Sequence, residues 1–90
     1  MSRRFTRLQG QYLAFIHSYT RIHGIPPAES DLQRFFGVTP PSVHDMIVRL
    51  HEAGLIARVP GEARSLRVQV GEDEIPRLEP APSGQRIRGR

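Results

Sequence analysis

Between residues 6 and 23, apolar side chains return every third or fourth position, at Leu8, Tyr12, Phe15, Ile16, Tyr19 and Ile22. That spacing predicts an α-helix with these residues as one stripe against a core. Thr6 and Gln9 have the T-x-x-Q spacing of a capping box, in which each side chain satisfies a backbone N–H of the first turn. Gly24 is placed to end the helix in the left-handed conformation, and Pro26-Pro27 blocks its continuation. A shorter helix is expected over about 29–36, with Leu32, Phe35 and Phe36 as its apolar side and Gly37 at its end.

The next stretch, "GVTPPSVHDMIVRLHEAGLI", predicts a third helix over about 40–53. Proline is tolerated in a first helical turn, whose N–H groups have no intrahelical partner. With Thr39 as N-cap, Pro40 and Pro41 start the helix rigidly. Val43, Met46, Ile47 and Leu50 follow at helical spacing and are assigned to the core. The opposite face presents Pro41, Ser42, His44, Asp45, Val48, Arg49 and Glu52, and Gly54 is placed to cap the far end.

After the helices the period changes to two. Leu66, Val68 and Val70 alternate with Arg67 and Gln69, and "PG" at Pro60-Gly61 signals a turn between this run and "LIARV". The pair reads as a β-hairpin with a basic tip. The expected fold is mainly α with a small hairpin: three helices plus a two-stranded wing, a winged helix-turn-helix, over residues 1–70. Residues 71–90, rich in proline and glycine with few large apolar residues, read as a disordered tail.

Charge and composition narrow the function. The chain has 90 residues, and its 13 basic side chains are all arginine. Its net charge of +4 falls in residues 1–70, with 9 Arg against 5 acids, whereas residues 71–90 balance 4 against 4. A basic folded part suits a polyanion, and a solvated arginine-rich surface is the competing explanation. No apolar run approaches the roughly 20 residues of a membrane span, and "MSRRFTRLQG" lacks the apolar core of a secretory signal. The lack of cysteine excludes disulfides, zinc–thiolate sites and thiol catalysis, and fits a cytoplasmic location.

These pieces occur together in a known family. T-x-x-Q at Thr6–Gln9, G-x-P-P at Gly24–Pro27, S-V-H with its apolar helix at Ser42–Leu50, "AGLI", and the wing "PGEARSLRV" resemble the N-terminal DNA-binding domain of LexA-type repressors over residues 5–70. The segment "TPPSVHDMIVRL" is also similar, over that one helix, to the recognition helix of DtxR-type regulators. The LexA resemblance implies a small bacterial transcriptional regulator bound to double-stranded DNA, with the third helix in the major groove. It further implies base contacts from Thr39, Ser42, His44 and Asp45. Backbone or wing contacts would come from Pro41, Arg49, Arg64, Arg67 and Arg7, with Arg3 and Arg4 nearby. The chain departs from the family at three places: the turn before the third helix is a residue shorter, Ala28 replaces a Ser/Thr cap, and Gln33 sits where a small residue is usual. The family's Ser/Lys self-cleaving domain is not expected, since the chain has no lysine.

Other chemistries fare worse. His44 and His51 are two helical turns apart, and His17 and His23 lack metal-site spacing, so no metal or other cofactor is expected. The aromatic residues have core spacing and leave the strands bare, unlike a single-strand stacking platform. Asp45 and Arg49, at i and i+4, suit either a cytosine contact or an ordinary surface pair. Val48 suits a thymine methyl or the core. The terminal "RIRGR" suits a phosphate-binding arm or a solvated end. No catalytic constellation is present, so an enzyme is not expected, nor is a small-molecule substrate. A protein-docking module is the alternative reading, against which the polar face of the third helix argues. Weak homodimerisation stays open.

Overall fold

The computed structural model describes residues 4–81. Helix α1 spans Arg7–His23, α2 Glu29–Phe36 and α3 Pro40–Glu52; strand β1 (Ile56–Ala57) and strand β2 (Arg67–Val68) follow, then a 3-10 turn at Glu72–Glu74. The strands pair antiparallel, with Ile56 opposite Val68 and Ala57 opposite Arg67. Three helices with a two-stranded wing make this a winged helix-turn-helix.

The caps explain the helix boundaries. Thr6 and Gln9 form the complete capping box on α1, and Gly24 ends it at φ 78°. At α2 the N-cap is Ala28, which has no acceptor of its own. Asp31 supplies the reciprocal half of the box, its Oδ2 accepting from the Ala28 N–H at 2.8 Å. Gly37, at φ 68°, turns the chain toward α3. The C-cap of α3 is Ala53. Gly54 follows at φ 76°, its N–H donating to the His51 carbonyl, while the Leu55 N–H donates to that of Leu50. That Schellman arrangement turns the chain straight into β1.

Leu13, Leu32, Val43, Ile47 and Leu50 are fully buried, and Ile16 and Leu55 nearly so. Tyr12 and Phe36 stack at the centre with ring centroids 4.3 Å apart. The apolar face assigned to α3 is buried as expected, except that Met46 is only half-buried. The stripe assigned to α1 is wrong at both ends: Leu8 is 52% exposed and Ile22 75%, while Leu13, outside the stripe, is fully buried. The middle of α1, Gly10 through Ile16, is buried on every side. Two bodies cover it, the helix-turn-helix with its wing on one flank and the returning chain on the other, and its ends project beyond both.

That returning chain corrects the tail. Residues 71–81 run back along α1. Gln11 binds them at two points, its Nε2 donating to the Arg77 carbonyl at 3.0 Å and its Oε1 accepting from the Glu79 N–H at 2.8 Å. Leu78 packs against the core. Glu74 pairs with Arg4, Glu79 with Arg7, and Glu72 with Arg21 and His17. A Cβ on Gly10 would lie 3.0 Å from both Pro76 and Phe5, so glycine there lets the segment approach. Composition missed this strap because it is held by hydrogen bonds and charge pairs with α1 rather than by a hydrophobic run of its own. Residues 82–90, including the "RIRGR" arm, lie outside the described residues.

Leu13→Ala should lower unfolding free energy by about 2–5 kcal/mol, whereas Ile22→Ala should stay within about 0.5 kcal/mol, both read from urea titrations. Gln11→Ala should leave the three helices intact and speed hydrogen exchange at the Glu79 amide. Unchanged protection there would mean that the strap is held by something other than Gln11.

Candidate nucleic-acid interface

Helix α3 opens on a rigid first turn. The Thr39 hydroxyl accepts from the Ser42 N–H at 3.4 Å and donates to Ser42 Oγ at 3.1 Å, with Pro40 and Pro41 inside the same turn. Thr39, Pro41, Ser42, His44, Asp45 and Arg49 are all exposed, and together they form one polar face. Each polar group there has a partner within the protein. Asp45 Oδ2 lies 3.2 Å from Arg49 Nη2, and His44 Nδ1 lies 3.6 Å from Glu29 Oε1, an ion pair only when the imidazole is protonated. Val48 is half-buried.

The wing follows from a turn and one strained position. Val59-Pro60-Gly61-Glu62 closes with the Glu62 N–H donating to the Val59 carbonyl at 3.0 Å and Gly61 at φ 81°, the geometry of a type II turn. Ser65 Oγ accepts from the Val59 N–H at 2.9 Å and ties the two arms together. Arg64 is the one non-glycine residue with positive φ among the described residues, at 57°. Its backbone curl turns the guanidinium inward. Nη1 lies 3.2 Å from each of Tyr19 Oη, the Pro26 carbonyl and Asp31 Oδ2.

Asp31 therefore joins three elements. It caps α2, pairs with Arg34 at 2.7 Å on its own helix, and receives Arg64 from the wing. Burial pushes its pKa up. The Ala28 N–H, the Arg64 guanidinium, the Tyr19 hydroxyl and Arg34 outweigh that and hold it below the ordinary carboxylate value. Asp31 was not singled out from the sequence. Its position three residues after Ala28 was the available signal, since D at N3 can bond the N-cap amide even when the cap itself is mute.

The structure thus sorts the residues expected to touch DNA. Thr39, Pro41, Ser42, His44, Asp45 and Arg49 come together on α3. Arg64 lines the same groove as His44, with its guanidinium engaged by Asp31. Arg67 is exposed, but it borders α1, beside Ile16, Thr20 and Pro26. Arg7 and Arg4 are paired with the strap, and Arg3 lies outside the described residues. Between the wing and the start of α2, reaching His44 of α3, runs a groove of about 380 Å³, lined among others by Ala28, Glu29, His44, Arg58, Glu62 and Arg64. Arg58 was not singled out from the sequence, where it is one arginine in an apolar run. Among the described residues no three His, Asp or Glu side chains are arranged to hold a metal ion, and no helix is long and apolar enough to cross a membrane.

A capped, exposed polar helix beside a wing is the arrangement of a winged helix-turn-helix DNA-binding module. The model of the LexA DNA binding domain family matches residues 2–65, well over half of the chain. The chain belongs to that family, and it is a LexA-like regulator that binds duplex DNA sequence-specifically. The module is a non-catalytic one. The protein-docking alternative is not favoured.

Held ionised below about 3.9, Asp31 contributes stability above that pH and loses it as pH falls through its lowered pKa. The loss of stability between about pH 5 and about pH 2 should therefore be smaller in Asp31→Asn than in the parent chain, as measured by thermal melts. Equal losses in the two proteins would remove Asp31 from the acid response.

Proposed function

We propose that the chain represses or otherwise controls transcription by laying the N-terminal half of α3 in the major groove, with Thr39, Ser42, His44 and Asp45 toward base edges. The observation that carries this is the α3 face itself, exposed and polar, beginning at a turn stiffened by two prolines. A major groove admits an α-helix, and helix-start residues reach the bases. Ser42 offers a donor and an acceptor. His44 offers ring nitrogens. Asp45 accepts from a cytosine amino group when Arg49 swings to a phosphate. The Asp45–Arg49 pair is exposed, so redirecting it costs less than about 1 kcal/mol.

One copy reads one half-site; pairing into a homodimer would let it read two. Location in the cytoplasm agrees with this role.

The test is selection of fragmented genomic DNA from the source organism by the purified protein, followed by sequencing. An enriched inverted repeat would mark a dimeric reader, and a single short motif a monomeric one. Retention with no enriched sequence would overturn the base-reading role of α3. In a companion measurement, Ser42→Ala or His44→Ala should lower affinity for the enriched site by about tenfold to a hundredfold while leaving non-specific binding intact.

A further inference from the structure

Three arginines belong to the wing, and they have different surroundings. Arg64 reaches Tyr19, Pro26 and Asp31, so its charge is compensated by Asp31 although its side chain is 41% exposed. Arg67 borders α1 rather than α3. Arg58, directly after β1, lines the groove between the wing and His44 of α3, and it makes no ion pair or side-chain hydrogen bond among the described residues. The groove is also lined by two carboxylates, Glu29, 3.6 Å from His44, and Glu62, which repel a phosphate. Arg64 lines the same groove, but its guanidinium is paired with Asp31, so Arg58 is the groove's one arginine without an ion-pair partner among the described residues.

We infer that Arg58 is the wing's phosphate-binding arginine, gripping the strand that passes between α3 and the wing, and that Arg64 is a positioning residue that holds the wing against α2 without touching DNA. This rests on the placement of α3 in the major groove proposed above. An arginine fork suits a phosphate, and neutralising one phosphate contributes about 0.9 to the slope of log K against log salt. The roles of the two residues are separable. Loss of Arg58 removes one charge contact and leaves the fold alone. Loss of Arg64 releases the wing and leaves the number of phosphate contacts unchanged.

The experiment is a salt titration of binding to a mixed-sequence DNA duplex by the full chain and by Arg58→Gln, Arg64→Gln and Asp31→Asn. It is accompanied by thermal melts and by hydrogen exchange over the wing. Arg58→Gln should lower the salt slope by about one and weaken binding severalfold at a fixed salt concentration, with the melting temperature unchanged. Arg64→Gln should lower the melting temperature and speed exchange at the Val59 and Glu62 amides, with the slope unchanged. Asp31→Asn should shift wing exchange in the same direction, since it removes the other half of the contact. A slope indifferent to Arg58, or one lowered by Arg64→Gln with wing protection intact, overturns the inference while duplex binding by the parent chain stands. Failure of the parent chain to bind the duplex at any salt overturns the α3 placement and the inference together.

Discussion

The buried carboxylate of Asp31 is the contact on which the arrangement of wing and helices depends. One oxygen takes the amide that Ala28 cannot cap for itself, and the same oxygen receives the guanidinium that reaches in from the wing. The β-sheet is only two residues long on each strand, too short to hold an angle by its ladder. The wing's orientation instead comes from side chains: Leu66 in the core, Ser65 across the two arms, and Arg64 on Asp31. A DNA reader of this type needs its wing and its recognition helix at a fixed spacing, because both must meet the same duplex. Asp31 links them through α2, which precedes α3 by a three-residue turn.

A second constraint acts on the other flank. Helix α1 is covered along its middle by the core on one side and the strap on the other. The strap's acids, Glu72, Glu74 and Glu79, meet Arg21, Arg4 and Arg7 in turn. These pairs are exposed, and singly each contributes little. The partly buried Gln11, with both ends of its amide on strap backbone, gives the contact its register. The arginines of α1, Arg7 and Arg21, are balanced within the molecule by Glu79 and Glu72.

The polar groups that face outward from α3 have partners nearby, Thr39 with Ser42, His44 with Glu29 of α2, Asp45 with Arg49. Such pairs keep a charged surface ordered and soluble without committing it. In water they are weak enough to be exchanged for base edges or phosphates, whereas the bond between Arg64 and Asp31, set behind the wing and shielded on the carboxylate side, is not so readily redirected.

Local rules made much of this protein legible from its residues alone. The capping box at Thr6–Gln9, the prolines at the start of α3, the glycines that end α1 and α2, and the period change into the wing all act within a few residues, so spacing reveals them. The polar face of α3 was legible for the same reason: helical periodicity decides which side chains share a face. What distance in sequence separates, spacing cannot show. The sequence holds no sign that Arg64 would meet Asp31, 33 positions earlier, or that Glu79 would meet Gln11, 68 positions earlier. Those contacts tied a wing arginine to α2 and laid residues 71–81 of an expected tail along a helix. Tertiary structure decided them because a charge or an amide is indifferent to where in the chain its partner lies, and only the packed core fixes which one comes within reach.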